Sequence, residues 1–95
     1  MNKKQVGKAQ RRLEELHEQL GQVGPLMRGT IVHIGTRNKQ FYFTLNKDKK
    51  TRLIYLGNSR EPMARRMSDN YKTLLAIVEE MTLINMELLK SNANE

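Results

Sequence analysis

Residues 41–57 read FYFTLNKDKKTRLIYLG, and this stretch predicts a β-hairpin. In residues 41–45 a large apolar side chain occupies every second position, which is typical of a half-buried strand. Residues 46–49, Asn-Lys-Asp-Lys, suit a tight turn because Asn and Asp tolerate unusual backbone dihedrals. Residues 51–56 resume a strand-forming composition, and Gly57 ends the hairpin.

A third strand is predicted upstream of the hairpin. Residues 28–34, RGTIVHI, are rich in β-branched side chains, and residues 35–39, GTRNK, suit a turn. Short connections join strands that run antiparallel to their neighbours. The sequence therefore predicts a three-stranded antiparallel meander over residues 28–57.

A helix is predicted before the sheet, over about residues 3–23. Apolar or small residues recur there at alternating spacings of three and four, which is the spacing of a heptad. Gly21, Gly24 and Pro25 end this helix. The repeating positions are Val6, Ala9, Leu13, Leu16, Leu20 and Val23.

A long helix is predicted after the sheet, over about residues 60–90, with Asn58 or Ser59 as its cap. Residues 91–95 are polar and predict a frayed tail. Further apolar residues widen the seam of this helix, which indicates packing against more than one surface. The seam consists of Leu74, Ile77, Met81, Ile84 and Leu88, and it is widened by Tyr71, Leu75 and Val78.

The fold class that follows is α+β in one domain, residues 1–95: an N-terminal helix, a three-stranded meander and a long C-terminal helix. The two helices carry matching heptad seams, which allows two arrangements. They can pack on each other as an antiparallel hairpin, or each seam can meet a second copy of the chain. We expect a homodimer built through these seams.

Composition excludes several classes of site. The chain has no cysteine, which removes disulfides and thiolate metal ligands. No apolar run approaches the ~18 residues of a membrane span, and no signal peptide is recognisable. His17 and His33 belong to different elements and lack the ligand spacing of a metal centre. We expect a cytoplasmic protein without membrane association, cofactor or metal.

No pattern of side chains indicates catalysis. The serines at positions 59, 68 and 91 lack a nucleophile elbow, and Glu79 and Glu80 point to different faces of a helix. The scattered glycines form no phosphate-binding loop. The sequence therefore predicts a protein that is not an enzyme.

Positive charge is concentrated in residues 28–72, where eleven basic side chains face three acidic ones and the formal charge is +8. A local excess of this size attracts a polyanion, and duplex DNA is the partner we expect. Lys and Arg are suited to phosphates, while Arg52 or Tyr42 would read base edges. The predicted contact residues are Arg28, Arg37, Lys39, Tyr42, Lys47, Lys49, Lys50, Arg52, Arg60, Arg65, Arg66 and Lys72.

A protein partner is the alternative. A phage- or plasmid-encoded inhibitor or adaptor would place the same basic face on an acidic partner surface. The sign of the charge excludes mimicry of a nucleic acid.

Several short motifs resemble a family of small uncharacterised prokaryotic proteins. These motifs are LMRGT at 26–30, FYF at 41–43, KTRLIY at 50–55, NYK at 70–72 and INMELL at 84–89. The resemblance covers about residues 10–90 and implies an accessory role in a phage or mobile element. Members usually carry a Cys-Gly-x-x-x-Cys-x-Cys cluster after the first strand. This chain has GTRNK at 35–39 instead, so the metal or redox feature that the cluster implies is absent.

The strands and the start of the long helix are also similar to the three-stranded DNA-binding domains at the N-termini of tyrosine recombinases. FYFTL at 41–45, a polar hairpin, RLIYLG at 52–57 and EPMAR at 61–65 carry this likeness. It implies that a face of the sheet enters a groove of DNA.

Overall fold

A computed structural model of the chain describes residues 1–92. It contains a helix, three antiparallel strands in one sheet and a long helix, which confirms the predicted α+β order. No helix within residues 1–92 combines the length and the apolar character that crossing a membrane requires. The elements are α1 (Lys3–Gln22), β1 (Thr30–Ile34), β2 (Gln40–Lys47), β3 (Lys50–Tyr55) and α2 (Gly57–Asn92).

The start of α1 is fixed by a capping box. The Asn2 side chain accepts a hydrogen bond from the backbone N–H of Gln5 at 2.8 Å, and the Gln5 side chain accepts from the backbone N–H of Asn2 at 3.0 Å. These bonds satisfy two donors that a helix start would otherwise leave without partners. At the other end, the N–H of Val23 donates to the carbonyl of Leu20.

The sheet has the strand order β1-β2-β3, and both pairings are antiparallel. A two-residue turn joins β2 to β3. Its residues, Asp48 and Lys49, have φ values of +53° and +62°. Two consecutive residues in the left-handed region are typical of a type I′ turn, whose twist matches that of the strands it joins. The predicted meander is therefore confirmed.

Helix α2 begins at Gly57, three residues before the predicted position, so that Asn58 and Ser59 lie inside its first turn. Gly57 has a φ of +64°, a value that glycine adopts without steric cost, and this allows the chain to turn sharply out of β3. The helix continues to Asn92. The remaining residues of the predicted tail, 93–95, lie outside the described part of the chain.

The chain divides into two compact units. The helical unit consists of Met1–Val23 and Thr73–Glu95, and the sheet unit consists of Gly24–Lys72. Helix α2 contributes to both. That the whole chain behaves as one domain stays a prediction.

Within the helical unit, α1 and the second half of α2 run antiparallel. The N-terminal ammonium group of Met1 donates to Ser91 Oγ, and Arg12 is hydrogen-bonded to Glu80. Leu16 and Ile77 are the buried apolar side chains of this unit. Of the two arrangements that the heptads allow, the internal hairpin is the one that these contacts form.

The core of the sheet unit lies between one face of the sheet and the first half of α2. Phe43, Leu56 and Ala64 are buried together. Two further contacts bind the segment before β1 to α2: Ser68 Oγ donates to the carbonyl of Gly29 at 3.1 Å, and Asn70 Nδ2 donates to the carbonyl of Pro25 at 2.8 Å. The residues that pack around this core are Met27, Ile31, Phe41 and Leu45.

Candidate nucleic-acid interface

The strand register separates the side chains of the sheet onto two faces. Phe43 points toward α2, and its cross-strand neighbours Ile31 and Ile54 share that face. We call the opposite face the open face. Every side chain on it is uncharged, and none belongs to the buried cluster that the sheet forms with Ala64 of α2. The open face consists of Thr30, Val32, Ile34, Gln40, Tyr42, Thr44, Asn46, Thr51, Leu53 and Tyr55.

Two tyrosines occupy one half of the open face. The rings of Tyr42 and Tyr55 meet edge to face, with their centroids 5.6 Å apart, because the two residues are direct cross-strand partners. The Tyr55 hydroxyl donates to Gln40 Oε1 at 3.2 Å. This contact uses the oxygen of the Gln40 amide as an acceptor and leaves its NH₂ group able to donate.

The other half of the open face carries smaller polar groups. Thr51 Oγ1 donates to Asn46 Oδ1 at 2.6 Å across the pair that β2 and β3 form there. Thr44 and Leu53 lie opposite each other between this pair and the tyrosines. The face therefore combines amides and hydroxyls, which hydrogen-bond to base edges, with methyl groups, which contact thymine methyls.

Basic side chains lie at both ends of the sheet. All of them are exposed, and none forms an ion pair within residues 1–92. They form two groups, one at each end of strand β2. Because this strand spans eight residues, the groups lie on the order of 25 Å apart. One group, Arg37 and Lys39, lies in the β1–β2 loop, and the other consists of Lys47, Lys49 and Lys50 at the β2–β3 turn. Lys49 belongs to the turn itself, whereas the cross-strand partners Lys47 and Lys50 alternate onto the same face as Phe43.

Arg28 and Arg60 bind backbone carbonyls in the sheet unit. Arg28 Nη1 donates to the carbonyl of Asn46 at 3.2 Å, which brings this guanidinium close to the lysines of the β2–β3 turn. Arg60 Nη2 donates to the carbonyl of Tyr55 at 2.6 Å, and its Nε donates to that of Leu56 at 3.2 Å. Arg60 therefore supports the connection between β3 and α2.

Three further predicted contact residues, Arg65, Arg66 and Lys72, lie on the part of α2 that belongs to the sheet unit. Arg65 forms an ion pair with Glu61, and Arg66 lies about 200° around the helix from the buried Ala64. Because Ala64 faces the sheet, Arg66 faces away from it. Lys72 is exposed at the end of the sheet unit. Whether these three side chains contact nucleic acid stays a prediction, but Arg66 does not share a surface with Tyr42.

Arg52 lies on the face of the sheet that carries Phe43 and packs against α2, which we call the helix-side face. Its cross-strand partner is Leu45, which packs against the core, whereas Tyr42 is on the open face. The two residues expected to read base edges therefore point to opposite sides of the sheet. Sequence reasoning assigned no role to Gln40, Asn46 or Leu53. Alternation counted outward from Phe43 could have found them, since residues an odd number of positions from Phe43 on the same strand point away from the core.

Within residues 1–92, no group of three or more His, Cys, Asp or Glu side chains is arranged to hold a metal ion. Comparisons with protein-family models, with curated proteins and with solved structures find no match to this chain. The geometry of the sheet unit is therefore the basis for a functional assignment.

Proposed function

We propose that the sheet unit binds duplex DNA without catalysing a reaction, with the open face toward the major groove and the flanking basic residues on the phosphates. One observation carries this proposal: the sheet has an uncharged, hydrogen-bonding face, and basic side chains that form no ion pairs within residues 1–92 lie at both of its ends.

The dimensions support this orientation. The major groove is about 12 Å wide and admits a β-ribbon. The sheet is on the order of 25 Å long, so its ends extend past the groove to the backbone on either side. Arg37 at one end and Lys49 at the other would then each approach a phosphate strand, while Thr44 lies over the bases.

The chemistry of the open face supports base contact rather than phosphate contact at its centre. Gln40 and Asn46 carry amides, which pair with base edges, and Leu53 offers methyl groups. None of these side chains attracts phosphate by charge. We expect affinity to come from the ends of the sheet and sequence preference to come from its centre.

Two double substitutions test the proposal, because each removes two positive charges from a different place. Lys47→Gln with Lys49→Gln removes them from one end of the sheet. Arg65→Gln with Arg66→Gln removes them from α2. Binding to a random duplex is measured by fluorescence anisotropy at about 50 mM and about 200 mM salt, and the lysine variant should lower the salt slope by about 2.

The arginine variant should change the slope by less than about one unit, since its charges face away from the bound duplex. Circular dichroism establishes that both variants fold. Equal losses in the two variants would mean that net charge alone attracts DNA and that the open face has no special role. Absence of binding by the unaltered protein at about 50 mM salt would remove DNA as the partner and leave an acidic protein surface.

The remaining expectations follow from this proposal. We propose that the protein acts in the prokaryotic cytoplasm, where DNA is accessible and where proteins rarely depend on disulfides. An accessory role in a phage or mobile element rests on the sequence resemblance. We also propose that two copies associate, and the surface of the helical unit specifies how.

A further inference from the structure

Helix α2 carries two apolar stripes within the helical unit. One contains the buried Ile77, on the side occupied by α1. The second lies about 100° to 180° around the helix from Ile77, and we call it the outer stripe. Its large apolar side chains are 47% to 68% exposed. The outer stripe consists of Leu75, Val78, Thr82, Met86 and Leu89.

Thr82 belongs to this stripe through its methyl group. Its hydroxyl donates to the carbonyl of Val78 at 2.7 Å, one turn earlier in the same helix. A threonine whose hydroxyl is satisfied in this way needs no polar partner from outside. The centre of the outer stripe is therefore compatible with a dry contact.

The outer stripe has the same pattern in both directions along the helix. From Thr82, the next stripe positions lie four residues away, at Val78 and Met86, and the last lie seven residues away, at Leu75 and Leu89. Such a pattern is self-complementary about a two-fold axis through Thr82. The first copy's Leu75 would meet the second copy's Leu89, and Val78 would meet Met86.

Charge selects this surface over the other exposed apolar segment. Strand β3 also exposes large apolar side chains, but it belongs to the sheet unit, whose formal charge is +8. Two copies that meet through β3 would repel each other. The helical unit contains six basic and seven acidic residues, so its formal charge is −1 and repulsion between copies is small.

We propose that the outer stripe binds the outer stripe of a second copy, with the two α2 helices antiparallel about Thr82. The stripe from Leu75 to Leu89 is about 21 Å long, so the contact buries less than the ~1,200 Å² typical of stable interfaces. The dimer is therefore weak and dissociates on dilution, with a Kd on the order of micromolar.

Sedimentation over a range of protein concentrations, without DNA, tests this proposal. The unaltered protein should shift from monomer to dimer as its concentration rises. Val78→Glu should remove the shift, because two carboxylates would be buried near the axis. Ala76→Glu is the matched control: it adds the same charge at an exposed position outside both stripes, and it should leave the shift in place.

A crosslink fixes the orientation of the dimer. The chain has no cysteine, so Thr82→Cys introduces a single thiol that would meet its own counterpart on the axis. Mild oxidation should give a covalent dimer for Thr82→Cys and much less for Ala76→Cys. A monomer at every concentration, or equal crosslinking of the two variants, would overturn the proposal. Failure of the dimer can be distinguished from failure of DNA binding, since Val78→Glu should still bind duplex DNA.

Discussion

Lys47 and Lys50 are direct cross-strand partners at the last position of the β2–β3 ladder, so two like charges face each other next to the turn. Like charges at such a position destabilise a hairpin. The turn between them adds strain, because Lys49 adopts the left-handed conformation that glycine normally supplies. This end of the sheet thus combines two features that weaken the free protein, and a bound anion would offset the first of them, the repulsion between Lys47 and Lys50.

Lys50→Glu should therefore separate stability from binding. The introduced carboxylate would face Lys47, replacing repulsion with attraction, and the free energy of unfolding should rise by roughly 0.2–1 kcal/mol. Affinity for duplex DNA at low salt should fall on the order of tenfold or more, since one phosphate contact is lost and an anion is added. Urea unfolding and anisotropy measure the two effects. Lys50→Gln should have a free energy of unfolding and an affinity for DNA between those of the unaltered protein and Lys50→Glu. A Lys50→Glu protein less stable than the unaltered one would contradict the interpretation.

The open face can be tested with two adjacent residues of equal exposure. Leu53 is 54% exposed on the open face, and Ile54 is 53% exposed on the helix-side face. Leu53→Glu and Ile54→Glu therefore change the net charge equally, but only the first places a carboxylate against the DNA. Leu53→Glu should weaken binding at least about tenfold more than Ile54→Glu, because like charges in contact cost several kcal/mol. Equal affinities in an anisotropy titration would show that the open face is not the contact surface.

Gly29 should tolerate no side chain. Its φ is +148°, and a Cβ there would lie 2.7 Å from the carbonyl oxygen of Thr44 and close to the ring of Phe43. Gly29→Ala should therefore destabilise the protein by on the order of 2–5 kcal/mol, from backbone strain and overpacking.

Gly7→Ala is the control for this substitution. Gly7 lies inside α1, and apart from its two chain neighbours and the backbone of the adjacent helical turns, no heavy atom lies within 4 Å of the position that a Cβ would take there. Alanine should therefore stabilise the helix by roughly 0.5–1 kcal/mol. Urea unfolding followed by circular dichroism measures both changes. The prediction for Gly29 would be contradicted by an alanine variant as stable as the unaltered protein.

Glu80 makes the helical unit sensitive to acid. Two charge-assisted hydrogen bonds from Arg12, at 2.6 and 2.9 Å, hold the pKa of the Glu80 carboxylate below its ordinary value of 4.5. The contact with Glu80, and to a lesser degree with Glu15, raises the pKa of the Arg12 guanidinium, which stays charged throughout. The stability that Glu80 contributes is therefore present above pH 4.5 and is lost as the pH falls through the lower pKa of the folded state.

Glu80→Gln should consequently lower the melting temperature slightly at neutral pH and leave it almost unchanged in acid, below the pKa of the folded state. Glu79→Gln makes the same change of charge at a neighbouring exposed position that forms no ion pair in the described part of the chain. It should have little effect at either pH. A difference between Glu80→Gln and the unaltered protein that persists in acid would exclude the ion pair as its cause.

The hairpin is predictable because its signals are local. Alternation in residues 41–45 and an Asn-Lys-Asp-Lys turn determine strand and turn within a few positions. The sequence places the start of α2 three residues late, because Asn58 resembles a cap and Gly57 has the signature of a strand end, whereas its left-handed backbone begins the helix. The opposed faces of Arg52 and Tyr42 depend on strand register, which a search for basic residues alone does not use.

Strand β3 forms one border of the sheet, and all six of its residues are exposed. An edge strand of this kind can pair with strands of other chains, and the exposed apolar side chains of Leu53, Ile54 and Tyr55 increase its tendency to aggregate. Lys50 and Arg52 interrupt it with charge, in the manner of gatekeepers. Solubility and polyanion attraction thus depend on the same side chains, so conditions that neutralise or screen their positive charge should promote fibrillar aggregation.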